Sequence, residues 1–242
     1  QGERVYTGSP AVVGETLYVN SDVGLLLALD TATGDELWRH NTPGNDPTPY
    51  DVAISDGVVF TIGGSGMVYG IDANTGAELW QYDTAKELVD NIYGPTATPV
   101  VNGETLYLTL TDINSGTVIQ AVDLNTRTKV WEHAAPAESF SAPAIAGDVL
   151  VFGGLDFRIH GIDRRTGEAL WDIRTDGIIF SAAAITGNIA YIGSSDGTLY
   201  AVDSRTGELL WRFLARGGVS SPVVDNCVVF VGDNTGSFYA IQ

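Results

Sequence analysis

The chain has 242 residues, with 30 acidic side chains against 12 basic ones and a formal net charge of −18. Hydrophobic residues make up 44%, which excludes an acidic disordered chain, and no run approaches the roughly eighteen apolar residues of a membrane-spanning helix. The single cysteine, Cys227, excludes an intrachain disulfide, a zinc ribbon and paired-cysteine redox chemistry, and the acidic balance repels phosphate backbones, so nucleic acid is not an expected partner.

Taken in chain order, Gln1 to Tyr6 carry no apolar leader core. One pattern then returns. Ala28–Trp38 reads ALDTATGDELW, Gly70–Trp80 reads GIDANTGAELW, and Ala121–Trp131 reads AVDLNTRTKVW. Gly161–Trp171 follows as GIDRRTGEALW and Ala201–Trp211 as AVDSRTGELLW. Tyr239 to Gln242 open a sixth copy and stop before its turn. The five tryptophans are spaced by 42, 51, 40 and 40 residues, so the repeat uses every tryptophan and leaves none for a ligand platform. Arg127 stands where the other copies have the turn glycine, which predicts different backbone angles for that turn.

Each unit reads as four short strands. In the fifth, Ser181–Thr186 is followed by a turn at Gly187-Asn188, and the apolar Ile189–Gly193 by an Asp196-Gly197 hairpin. Thr198–Asp203 is apolar again, and Thr206-Gly207 turns into Glu208–Phe213. The second and third strands are nearly continuous apolar runs, which predicts burial on both faces. Four strands every forty residues or so is the pattern of a propeller blade.

The A-x-D-x-x-T-G-x-x-x-W pattern resembles the tryptophan-docking motif of the PQQ-like repeat propellers. The resemblance implies an all-β fold, a single propeller domain over residues 1–242, with four-stranded antiparallel blades. It implies that Trp38, Trp80, Trp131, Trp171 and Trp211 dock flat between blades. The small residue opening each motif (Ala28, Gly70, Ala121, Gly161, Ala201) then leaves room for an indole, and the motif aspartate, as at Asp203, accepts turn N–H groups. Six blades need an outer strand for the last one, since a propeller otherwise presents raw sheet edges. Gly2-Glu3-Arg4-Val5-Tyr6 matches Gly167-Glu168-Ala169-Leu170-Trp171 and could supply it as a terminal clasp. Aligning Ser9-Pro10 with Ser221-Pro222 instead puts that strand before Gln1, as in a fragment of a larger propeller.

The turns between second and third strands carry Asp22, Asp112, Asp156, Asp196 and Asp233, which suggests a carboxylate rim for a cation or a basic partner. Ordinary Asp-Gly turn chemistry accounts for the same residues. The connection from Asp83 to Thr96 is longer than its counterparts and holds Lys86 and Tyr93, a second candidate binding rim. The first strands open with Ser9, Thr98, Ser141, Ser181 and Ser221, small neutral groups with no recurrent charge. His40, His133 and His160 are scattered and read as outer-strand surface residues, and Cys227 as an inert, partly buried thiol. No Ser-His-Asp order, P-loop or metalloprotease helix is present.

These features point to a non-catalytic binding or scaffold propeller with no cofactor and no metal, exported or at the cell surface, with a protein partner or another copy of itself. The alternative is a quinone-dependent dehydrogenase. The resemblance implies a longer chain, adjacent cysteines and a Glu-Asn-Asp calcium site for those enzymes, and the single cysteine here departs from it. Only Lys86 and Lys129 are lysines, and high carboxylate with scarce lysine resembles the proteins of salt-loving archaea. Self-repulsion destabilises the compact state, and the screening length falls from roughly 30 Å near 0.01 M salt to roughly 3 Å near 1 M. The melting midpoint should therefore climb as KCl rises from low millimolar to molar at neutral pH; a flat or falling series would remove both the repulsion argument and the salt-loving origin.

Overall fold

Short apolar runs separated by glycine turns satisfy their backbone polar groups by pairing with one another, and all regular elements among the described residues are strands. The computed structural model describes residues 9–21, 24–42, 51–63, 66–84, 92–112, 116–135, 137–139 and 141–242, with 92–95 and 112 as backbone only. The chain divides into two compact units, Gln1–Asn114 with Val122–Val130, and Ser115–Ala121 with Trp131–Gln242.

In the first unit, β1 (Ala11–Val13), β2 (Thr16–Asn20), β3 (Leu25–Asp30) and β4 (Glu36–Asn41) form an antiparallel sheet in that order. The second sheet repeats it with β5 (Ala53–Ser55), β6 (Val58–Ile62), β7 (Met67–Asp72) and β8 (Glu78–Asp83). The third sheet, through which the division between units runs, has β9 (Ile92–Pro95), β10 (Val100–Asn102), β11 (Thr105–Asp112), β12 (Gly116–Asp123) and β13 (Thr128–Ala134). The second unit adds β14 (Ala144–Ala146) to β17 (Ala169–Arg174), with β15 (Val149–Gly153) and β16 (Arg158–Asp163) between them, as a fourth sheet. The fifth holds β18 (Ala184–Thr186), β19 (Ile189–Gly193), β20 (Thr198–Asp203) and β21 (Leu209–Leu214). The sixth is described with three strands, β22 (Val223–Asp225), β23 (Val228–Gly232) and β24 (Phe238–Ile241). These six antiparallel sheets are the blades of a β-propeller. The expected clasp, Gly2 to Tyr6, lies outside the described residues.

Burial follows strand position. All five residues of β15 are buried, while β17 alternates between exposed and half-buried positions. The core lies between successive sheets. Tyr18, Leu26 and Ala28 of the first pack with Val59, Tyr69 and Ile71 of the second. In the second unit, Val149, Val151 and Ile159 of the fourth sheet pack with Ile192, Tyr200 and Val202 of the fifth. Part of the long 83–96 connection becomes β9, which pairs with β11 at Leu110↔Pro95 and Thr111↔Gly94. It takes over where β10 stops, so the inserted residues extend the sheet along the same strand.

The outer strands hold a feature absent from the sequence reading. Gly161 pairs with Trp171 but Ile162 pairs with Ala169, which leaves Leu170 as the extra residue of a bulge. Leu37, Leu79 and Leu210 are skipped in the same way, and each of the four is exposed. The bulge sets the register that places the indole opposite the small residue opening the motif. At Gly70 and Gly161 an added Cβ would come within 2.4 and 2.1 Å of the tryptophan ring, so those two positions have no room for even a methyl group.

The motif turn is built on its aspartate. Asp30 Oδ1 accepts the N–H groups of Ala32 and Thr33 at 2.9 and 2.8 Å, and Gly34 N–H returns to the Asp30 carbonyl at 2.9 Å. Asp72, Asp123, Asp163 and Asp203 accept the equivalent bonds. The Thr33 N–H, with that of Ala32, holds the Asp30 carboxyl below the usual carboxylate range. The turn with Arg127 corrects the expectation: its backbone is not different. Arg127 takes φ +59°, beside +76° at Gly34 and +74° at Gly207, and its N–H makes the same bond to Asp123 at 2.8 Å. Cys227 also departs from expectation. It is exposed and occupies the second central position of a hairpin turn at φ +63°, where the second sheet has Gly57 at φ +75°. A left-handed L-residue costs about 1–2 kcal/mol, partly offset by the extra unfolded-chain freedom of glycine. Arg127→Gly and Cys227→Gly should each stabilise by about 0.5–1 kcal/mol, read as a melting midpoint raised by about 1–3 °C. A lowered midpoint would mean that the side chain contributes more than the strain it causes.

Candidate functional site

Trp38, on β4, donates its indole N–H to the Ala73 carbonyl at 2.9 Å and lies against Gly76, where an added Cβ would approach the ring to 2.7 Å. Trp131 makes the same pair of contacts with Arg164 and Gly167, and Trp171 with Ser204 and Gly207, at 3.1 and 3.0 Å for the hydrogen bonds. In each case the acceptor is the residue after the next motif aspartate, and the flat contact is that motif's glycine. Trp80 meets Gly70 and Phe60 of its own sheet. Trp211 packs on Tyr191 and is 36% exposed.

Two histidines extend this contact, which corrects their reading as surface residues. His40 and His133 stand two residues after Trp38 and Trp131 and are half-buried. Their Nδ1 atoms lie 3.3 and 2.9 Å from the carbonyls of Gly76 and Gly167, the glycines under the indoles. The signal was their shared offset from tryptophan. His160 is buried on β16 and pairs with Asp156 at 3.0 Å.

Of the rim candidates, Asp22 and Lys86 lie outside the described residues, and Asp112 and Tyr93 are described as backbone only, Tyr93 within β9. Asp156, Asp196 and Asp233 occupy turns of the second unit, and each has partners. Asp196 accepts the Thr198 N–H at 2.8 Å, the Tyr200 hydroxyl at 2.9 Å and the Asp176 N–H at 3.1 Å. Burial pushes its carboxyl up, but the bonds from Thr198, Tyr200 and Ser194 outweigh burial and hold it low. Burial, then Asp196, raise the Tyr200 phenol to about 12. Asp233 accepts the Tyr239 hydroxyl at 2.8 Å and the Arg216 N–H at 3.2 Å, and the Thr235 hydroxyl leads the bonds that keep its carboxyl low. Asp176 and Arg216 begin the loops that leave the preceding sheet, so these carboxylates tie a turn of one sheet to the loop of its neighbour.

Two of the strand-opening hydroxyls, those of Ser141 and Ser181, are likewise engaged. Ser181 Oγ donates to the Gly193 carbonyl at 2.8 Å and accepts its N–H at 2.9 Å, and Ser141 accepts the Gly153 N–H at 3.2 Å. Among the described residues, no three His, Cys, Asp or Glu side chains group as metal ligands. A cavity of about 430 Å³ lies between Phe180, Val219, Gly232 and Asn234, and Phe180 is 55% exposed beside it. No helix among the described residues is long and apolar enough to cross a membrane.

The repeat, its turn and its docking geometry agree with what the chain matches. The family model described as outer membrane protein assembly factor BamB matches residues 2–114 and 45–241. The chain belongs to this family of PQQ-like repeat propellers. Comparison with curated protein sequences returns no match. Among solved structures, BamB from Moraxella catarrhalis is similar at 20% identity and TM-score 0.62, over 98% of this chain and 85% of that one. The quinohemoprotein alcohol dehydrogenase of Comamonas testosteroni is similar at 18% identity and TM-score 0.70, over 99% of this chain. A europium-containing methanol dehydrogenase follows at 19% identity and TM-score 0.68, over 88% of this chain. The chain spans 46% and 52% of those two enzymes' lengths. At such identities the likeness to these structures is one of fold.

Removing a large buried aromatic costs about 3–5 kcal/mol. Trp171→Ala, half-buried with its N–H on Ser204, should lose about 3 kcal/mol, the lower end of that range, in denaturant titration, whereas Trp211→Ala, at a residue 36% exposed, should lose clearly less. Equal losses would show that the following turn adds nothing to indole docking.

Proposed function

We propose that this chain is a non-catalytic binding or scaffold propeller that works within a protein assembly, exported or held at the surface of a salt-loving archaeal cell. The observation that carries the reading is the family match, which spans nearly the whole chain and is described by an assembly factor. Two features of the second unit support it. The carboxylates Asp156, Asp196 and Asp233 and the hydroxyls of Ser141 and Ser181 are used as structural hydrogen-bonding groups, as described above. The cavity beside the exposed Phe180 is open and partly apolar, as suits a protein partner better than polar chemistry. The scarcity of lysine and the −18 charge support the salt-loving setting.

The competing reading, a quinone-dependent dehydrogenase, draws on the fold shared with the two dehydrogenases, of which this chain matches about half. A third, self-association, is tested by mass in solution at high salt. The purified chain, given quinone, calcium and an artificial electron acceptor over a set of alcohols and sugars, should give only background turnover. A saturable, quinone-dependent rate would overturn the proposal. A pull-down at high salt from the source cells' envelope should return a distinct protein in constant ratio to the chain; recovery of the chain alone, at a multiple of its mass, would favour self-association.

A further inference from the structure

We propose that the contact of β13 with the fourth sheet in the second unit is an acid-sensitive latch, in which His133 and His160 gather on Phe152 and protonation of His133 loosens the contact. His160 stacks on the Phe152 ring at 5.1 Å, with the planes 20° apart. His133 meets the same ring edge-on at 6.3 Å and 68°. Both imidazoles line one cavity of about 150 Å³, together with Trp171 and Asp172. The three residues come from β13, β15 and β16, so tertiary packing alone makes them neighbours.

The two histidines have different partners. His160 meets a carboxylate, that of Asp156, at 3.0 Å. His133 is held by the neutral carbonyl of Gly167, to which Nδ1 donates. Among the described residues of the second unit, the charged groups on these elements include Glu132 on β13, Arg158 on β16, Asp172 and Arg174 on β17, Asp163, Arg164 and Arg165 at the turn under Trp131, and Glu168 beside Gly167. Asp172 pairs with Arg158, Arg165 with Asp163, and Arg164 reaches Asp148 at 3.6 Å. A proton on His133 therefore places a charge in a half-buried site next to a second imidazole whose own carboxylate is already engaged.

The His133 imidazole accordingly sits below the ordinary histidine range. Burial lowers it most, the Gly167 carbonyl partly restores it, and His160 lowers it again. The sign follows by linkage. A group whose folded value is depressed contributes stability that is complete above its unfolded value, about 6.5, and that is lost as the pH falls below it. His40 is an internal control. It has the same offset from its tryptophan and the same glycine-carbonyl contact, but it faces Tyr69 at 6.3 Å, not a second imidazole.

The test is the melting midpoint of the full chain between about pH 8 and about pH 5.5, above the carboxylate range, at one fixed high KCl concentration. The wild type should lose a few degrees on acidification. His133→Gln keeps an amide donor for the Gly167 carbonyl and should flatten the series, while His40→Gln should retain the wild-type fall. A fall in His133→Gln as steep as the wild type, or an equal flattening in His40→Gln, overturns the latch. If His133→Gln does not fold, the wild-type imidazoles are titrated by NMR with sequence-specific assignment. A His133 midpoint below about 6.5 supports the proposal, and one at or above it overturns it.

Discussion

An indole of one repeat lying on the turn of the next is the contact on which the rest of this structure depends. A tryptophan on an outer strand has a large apolar face and one N–H, and both need a partner when water is removed. The following turn offers a flat surface at a residue without a Cβ and a carbonyl three residues earlier. Gly76 and Ala73 do this for Trp38, Gly167 and Arg164 for Trp131, and Gly207 and Ser204 for Trp171. The aspartate cap holds the turn in that shape, and the outer-strand bulge puts the indole at its level. One contact thus fixes the residue types at four positions of the motif.

The exceptions show that the backbone shape is set by its surroundings and not by the residue that occupies it. Arg127 adopts the left-handed turn of its glycine counterparts, because the Asp123 carbonyl and the hairpin on either side demand it. Phe157 does so at φ +62° in a hairpin where the fifth and sixth sheets use Gly197 and Gly236. Local preference opposes both conformations, and the paired strands around them override it.

Charge is handled in the same economical way. The motif aspartates are spent on turn N–H groups, and Asp196 and Asp233 join a turn to the loop of the adjoining sheet. Such carboxylates are hydrogen-bonded acceptors first and a field of negative charge second. Bonds of this kind offset part of the mutual repulsion among the carboxylates of an acidic chain. The histidines follow the indoles to the glycine carbonyls, and at one place the packing sets two of them on a single phenyl ring.

The sequence alone determined the strand order within a blade, the repeat and the aspartate-capped turn, which depend on short-range spacing, while the family resemblance carried the docking seen for Trp38, Trp131 and Trp171. The sequence also placed Asp156, Asp196 and Asp233 in turns, because the preference of aspartate for turn positions is local. Only the tertiary structure decided what those carboxylates bind, since Tyr200, Asp176 and Arg216 reach them through strand register and through the neighbouring sheet. It also decided the bulge at Leu170, which depends on how two strands slide past each other, and the backbone of Arg127, which overrode its own preference. His133 and His160 are 27 positions apart and meet because β13 packs against the sheet that carries β16. Periodicity fixes which face a residue takes within its own sheet, but not which residue of the next sheet it meets there.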